Sequence, residues 1–247
     1  MIAGIPDYIQ ARIRKLPPAG IRVVPGSTPV VAFGDVLKAK VATLGWNPSR
    51  REFLDPDGNE LVGDRRRLET LTSLGETDLA SASEDAVRRV FDACNNYFHC
   101  CPNRRWFNRL KPILKGAGAC YYEGSACHLD LVQWATDPVW GKLRLHPSDK
   151  IKVIQEDLPS LRHQLSQQNF RLLLLNGGGI VKEYEKQFGV HLTELPLTDD
   201  LKLFTGHDIR GLKVIGWNIN VQGTFGVSNK DVEIIGAAVG QFCRDCT

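Results

Sequence analysis

Four strand-sized apolar runs, at 41–44, 128–132, 172–175 and 212–217, alternate with stretches of helical periodicity. That alternation constrains the fold more than any other feature of the chain. The clearest helical stretch is 148–168, where Ile151, Ile154, Leu158, Leu161 and Leu165 recur on one face and Ser148 is a natural cap. Further helices are predicted at 5–16, 64–73, 84–98, 104–115 (perturbed by Pro112), 179–188 and 228–243, and further strands at 28–33, 190–195 and 200–205. Strands alternating with helices predict an α/β fold of three layers, with a central, mostly parallel sheet between helices. The chain reads as one domain over 1–247, with 1–37 an N-terminal extension packed on it and 54–84 a polar surface insertion.

Open α/β sheets bind ligands at the carboxyl ends of their strands. Polar residues gather there in this sequence. The first run ends in Gly45-Trp46-Asn47-Pro48-Ser49, and the second carries His128 and Asp130. The third ends in Asn176-Gly177-Gly178-Gly179, and the last in Asn218-Ile219-Asn220.

Several classes are excluded. No apolar run approaches the roughly 18 residues of a membrane helix, and no signal peptide is visible, so a cytoplasmic protein with no membrane partner is expected. Net charge is +3, yet Arg50-Arg51, Arg65-Arg66-Arg67, Arg88-Arg89 and Arg104-Arg105 cluster in the first half. Such local patches can hold phosphate. Seven cysteines without a secretory signal argue against a disulfide framework. The one clean short-spaced pair is Cys243 and Cys246, at the chain's end, so no metal and no cofactor are expected. There is no P-loop, no GxGxxG opening a helix, no GxSxG elbow and no HExxH. The Gly177-Gly178-Gly179 triplet reads as a tight strand-to-helix turn.

The order of the remaining motifs resembles the uracil-DNA glycosylase superfamily over roughly residues 38–245. Gly45-Trp46-Asn47-Pro48-Ser49 is similar to the Gly-x-Asn-Pro-Gly of its mismatch-specific branch, and Asn103-Arg104-Arg105-Trp106 to the Asn-Arg-x-Trp that follows. Leu129-Asp130-Leu131-Val132-Gln133 resembles a Thr-Asn-Leu-Val-Lys strand, and 173–177 the next buried strand and turn. The sequence departs from the family twice. Asn218-Ile219-Asn220 stands where His-Pro-Ser belongs, and Asp130 stands where the family's base-reading Asn belongs. A His146-Pro147-Ser148 does occur, but too early in the chain, and it reads as a helix start.

The resemblance implies a monofunctional DNA glycosylase that extrudes a base and hydrolyses its N-glycosidic bond. Asn47 would hold the attacking water, and Asn218 would donate to the leaving base as the second catalytic group. Asp130, Gly45, Trp46, Phe53, Asn176 and Asn220 would line the base site, with Trp134 and Trp217 as further stacking candidates. Ser49, Arg50, Arg51 and Gln222 would contact DNA, with 223–225 approaching it. DNA is the expected partner, and a monomer the expected state. No lysine lies in the motifs to form a Schiff base, so strand cleavage is not expected.

Asp130 is the most informative position. An ionised carboxylate only accepts hydrogen bonds. It suits the exocyclic amine of cytosine and repels O4 of uracil. The expected substrate is therefore a modified cytosine. Bacterial relatives resembling defence enzymes against modified phage DNA fit that expectation. Three alternatives stay open: a uracil or mismatch glycosylase, a catalytically inactive DNA- or nucleotide-binding member, and an unrelated α/β enzyme.

Overall fold

The computed structural model describes residues 2–144, 146–223 and 226–244. Cys246, Thr224 and Phe225, singled out above, lie outside the described residues. In chain order the elements are α1 (Asp7–Ile13), β1 (Val41–Gly45), α2 (Leu71–Leu74), α3 (Glu84–Asn95), α4 (Arg104–Phe107), α5 (Lys111–Gly116) and β2 (Ala126–Asp130). Then follow α6 (Pro147–Gln167), β3 (Leu172–Asn176), α7 (Gly178–Phe188), β4 (Thr193–Pro196), β5 (Lys202–His207), β6 (Lys213–Trp217) and α8 (Asn229–Arg244).

The fold is α/β, with one six-stranded sheet in the order β2-β1-β3-β6-β5-β4, flanked by helices in a three-layer arrangement. β1 pairs parallel with β3, and β3 with β6. β5 runs antiparallel to both β6 and β4, so it is reversed in an otherwise mostly parallel sheet. Every residue of β3 is buried. Both faces of that strand are therefore covered, which is why it reads as an unbroken leucine run rather than an alternation. At the other extreme, all four residues of β4 are exposed, as suits an edge strand carrying Glu194 and Pro196.

The chain parts into two compact units, each assembled from three stretches. Unit 1 comprises Met1–Val36, Trp46–Pro102 and Leu129–Gln168. It contains α1, α3 and α6. Unit 2 comprises Leu37–Gly45, Asn103–His128 and Asn169–Thr247. It contains most of the sheet with α5, α7 and α8. In unit 2, α5 and α8 approach closely enough that a Cβ on Gly116 would fall 2.0 Å from the Gly236 carbonyl oxygen.

Three sequence expectations need correction. No strand forms at 28–33, although the stretch is largely buried. Pro25 and Pro29 lack the N–H a ladder needs; Val30 N–H instead donates to the Gln133 carbonyl. The helix expected at 64–73 reduces to a 3-10 turn at Gly63–Arg65 and the single turn α2. Arg67 is held by tertiary partners: it donates to the Cys101 carbonyl and lies 3.8 Å from Glu52. The helix expected at 104–115 is broken into α4, a 3-10 turn at Asn108–Leu110 and α5, whose start takes Pro112.

Candidate functional site

β1 leads onward to β2 on one side of the sheet and lies beside β3 on the other. Its carboxyl end, paired Leu44 to Leu175, is thus a topological switch point. Half-buried Gly45 closes β1 there, and Asn176 and Trp217 are register partners at the ends of β3 and β6. The chain leaves β1 into the Trp46–Ser49 turn, which belongs to unit 1.

Within unit 1, the turn is fixed from below. The Trp46 carbonyl accepts Val132 N–H at 2.9 Å. The Asn47 amide nitrogen donates to the Trp134 carbonyl and to Thr136 Oγ1, each at 3.0 Å. A carbonyl partner can face only the NH2 end of an amide, so the side-chain orientation is unambiguous. Both amide protons are engaged, and Asn47 Oδ1 makes no hydrogen bond among the described residues. It is a free acceptor on a half-buried, doubly anchored side chain. Neither Thr136 nor the Trp134 carbonyl was singled out from the sequence; nothing marks a backbone carbonyl in a one-dimensional pattern.

Ser49 Oγ accepts Arg51 N–H and caps the 3-10 turn Arg50–Glu52. Arg50 pairs with Asp137 at 3.0 Å, so its charge is already matched. Arg51 is exposed, and its guanidinium has no partner among the described residues. The buried Glu52 between these arginines and Phe53 was missed by pattern reading; Tyr97 Oη donates to it at 2.5 Å. Asp130 ends β2 at 3% exposure. Trp46 is half-buried and stacks on Trp140, centroids 6.1 Å apart. Phe53 and Trp134 are core residues, each 1% exposed.

Within unit 2, Asn176 is the hub. Its Oδ1 accepts from Trp217 Nε1 and Val221 N–H, both at 3.1 Å. Its Nδ2 donates to Asn220 Oδ1 at 3.0 Å and to Gln222 Oε1 at 2.8 Å. Four hydrogen bonds satisfy the amide. Asn176 therefore ties the loop after β6 to β3, and its amide has no capacity left to read a base. Gln222 is buried as well, and its Nε2 donates to the Trp106 carbonyl at 3.3 Å. That engagement makes it a brace inside the unit rather than a surface contact. Trp217, its indole donating to Asn176, is fully buried.

Asn218 is likewise occupied: Oδ1 accepts Lys202 N–H and Nδ2 donates to the Asp200 carbonyl. It closes the start of β5 onto the end of β6. Asn220 differs. It is exposed, its Oδ1 accepts from Asn176 Nδ2 and Gln222 N–H, and its Nδ2 has no partner among the described residues. It is an oriented free donor. Gly177 permits this packing: φ is +105°, and a Cβ there would lie 3.4 Å from Asn220 backbone atoms. The glycine triplet is thus a close-approach turn, as its pattern suggested.

Arg109, unremarked in the sequence, clamps the same loop. It donates to the Val221 carbonyl at 3.1 Å, the Val227 carbonyl at 3.0 Å and Asn229 Oδ1 at 2.7 Å. Among the described residues, no group of three or more His, Cys, Asp or Glu side chains is placed to hold a metal ion, and no helix is long and apolar enough to cross a membrane. No protein-family model matches the chain, and no curated protein matches it in sequence.

Proposed function

We propose that the protein is a DNA glycosylase of the uracil-DNA glycosylase type, acting on a modified cytosine in DNA. The observation that carries this reading is the state of Asn47: a side chain in a Gly-x-Asn-Pro turn, both amide protons anchored, with one acceptor left open. Such a group fits the holding of a water molecule by one of its protons. It cannot take that proton at neutral pH. The barrier would fall instead through stabilisation of the developing oxocarbenium ion and the departing base. Asn220, with its open amide donor, fits hydrogen bonding to O2 of that base better than Asn218, whose side chain holds β5. Asp130 would accept from the exocyclic amine of a cytosine-type base. Because removal of ordinary cytosine would damage the host, the expected target is a foreign or modified cytosine, as in defence against phage DNA.

The test is base release. The protein and an Asn47→Ala variant are incubated with DNAs bearing uracil, cytosine, 5-hydroxymethylcytosine or its glucosylated form, and abasic sites are scored by alkaline cleavage. Release from a modified-cytosine DNA, lost in the variant, is expected. Release from uracil DNA alone would discard the role of Asp130. One observation favours a second reading, binding without catalysis: no histidine stands in the 218–220 loop, and Asn218 is engaged within the fold. No release from any DNA, with binding retained, would select it.

A further inference from the structure

The segment 103–115 carries Arg104, Arg105, Arg109, Lys111 and Lys115, five cations, and no carboxylate. It also carries Trp106, 37% exposed, while Trp134, Trp140 and Trp217 are buried. Arg104 and Arg105 are exposed on the same helical turn, α4, and neither forms an ion pair among the described residues. Arg104 lies 4.7 Å from the centroid of the Tyr122 ring and Lys111 5.1 Å from it, so their charges are held above an aromatic surface. The turn is rigid from beneath. Phe107 is buried and meets the rings of Tyr121 and His128 edge-on at 5.6 and 5.5 Å. The Trp106 carbonyl accepts from Gln222, Gln222 accepts from Asn176, and Asn176 donates to Asn220. An exposed indole flanked by guanidinium groups that have no carboxylate partner among the described residues is thus braced, through two side chains, against the loop that presents the free Asn220 donor.

We propose that Trp106, Arg104 and Arg105 form a contact for opened DNA, the indole stacking on an unpaired base and the guanidinium groups meeting flanking phosphates. Aromatic stacking needs an exposed base face, which duplex interiors do not offer. The surface therefore selects single-stranded or mismatched DNA over intact duplex. This inference rests on the DNA reading above, but not on catalysis.

Binding is measured by fluorescence anisotropy with labelled single-stranded and duplex oligonucleotides, beside the base-release assay. Trp106→Ala is expected to weaken single-strand binding about 5- to 100-fold, from the loss of one stacked base, and Trp106→Phe to restore most of it. Arg105→Glu keeps the aromatic residue in place and is expected to lower affinity and flatten the salt dependence. Circular dichroism melting confirms that each variant is folded. Weakened binding in Trp106→Ala and Arg105→Glu without base release by any protein would uphold this contact while removing the glycosylase reading. Unchanged binding in folded Trp106→Ala and Arg105→Glu, with base release intact, would overturn the contact and leave that reading standing. Absence of DNA binding by the unaltered protein would overturn the contact outright.

Discussion

The two units each present one oriented amide, and they brace it by opposite means. In unit 1 the support behind Asn47 is charged and buried. Arg12 from α1 lies 3.0 Å from Asp157 of α6, with side chains 1% and 0% exposed. Asp157 also accepts Gln133 N–H at 2.8 Å, one residue before the carbonyl that anchors Asn47. The Arg12 guanidinium sits 5.2 Å from the centroid of the Trp134 ring. Burial pulls its pKa below the ordinary value, while the Asp157 charge works against that shift. In unit 2 the support behind Asn220 is neutral: Asn176, Gln222, the Trp217 indole and backbone groups. A buried ion pair gives strong positional preference but is costly to leave half-made. A network of amides has no net charge to strand, and its loss is graded. Among the described residues, Arg12 Nε and Nη1 find no hydrogen-bond partner, so the charged brace is also the less satisfied of the two.

Breaking the charged brace should have the largest effect. Arg12→Met leaves Asp157 buried and unpaired, and should destabilise by about 3–5 kcal/mol, read as a fall in denaturation midpoint. The double variant Arg12→Met/Asp157→Leu should recover most of that loss. If base release stays low in the recovered double variant while DNA affinity is unchanged, the pair positions Asn47. Full recovery of both would reduce it to a structural element. Next in size, Asn47→Ala should lower the rate of base release on the order of 10²–10³-fold, as when one preorganised polar group is removed from a reacting centre. Stability should fall by only about 1–3 kcal/mol, from the acceptors left open on the Trp134 carbonyl and Thr136. That loss of stability with base release unchanged would mean that the side chain serves the Trp134–Thr136 segment rather than a substrate.

The contrast between the braces also marks how much the sequence made legible. The periodic elements were readable: α6, β3, α7 and α8 fall within a few residues of their expected positions, because their apolar faces recur at one period. The 28–33 and 64–73 stretches were not, because groups such as Val30 N–H and the Arg67 guanidinium find their partners far along the chain. Asn47 stood out through its turn, Gly45 to Ser49. Its orientation did not, since that depends on a backbone carbonyl 87 positions away. Around the last strand the residue types were visible but their division of labour was not. Asn176, Asn218, Asn220 and Gln222 are chemically alike, and only the hydrogen-bond pattern separates three braces from one open donor. Arg12 and Asp157 carried no local signal, being ordinary members of amphipathic helices until burial brings them together.

The neutral brace should give way more gently. Asn176→Ala removes four hydrogen bonds but strands only neutral groups, those on Trp217, Val221 and Gln222 buried and that on Asn220 exposed. A cost of about 1–3 kcal/mol is expected, with Asn220 losing its orientation. Asn176→Asp should be worse, since a carboxylate would face Asn220 Oδ1 and Gln222 Oε1 where an NH2 group now donates. If Asn176→Asp proves as stable as the native chain, the network can rotate its amides, and the free donor on Asn220 is not fixed.

Acid provides the smallest and most selective probe of the same contrast, because unit 2 braces Asn220 without a carboxylate. Its conspicuous buried carboxylate is elsewhere, in the turn between β5 and β6. Burial pushes the Asp208 carboxyl up, but hydrogen bonds from the Arg210 side chain and from the backbone N–H groups of Arg210 and Leu212 outweigh it. The group is held below the usual carboxylate range. A depressed folded-state pKa contributes stability that is present above the unfolded value and is lost as pH falls through the folded one. Below about pH 4 the native chain should therefore lose this contribution. Asp208→Asn should start less stable at neutral pH and show a shallower acid limb in melting temperature. The hydrogen-bonded state of Asn220 should be unmoved over the same range, read from its side-chain amide resonances. Amide shifts at Asn220 that track the acid limb in the native chain and vanish in Asp208→Asn would show that the neutral brace depends on a charge after all.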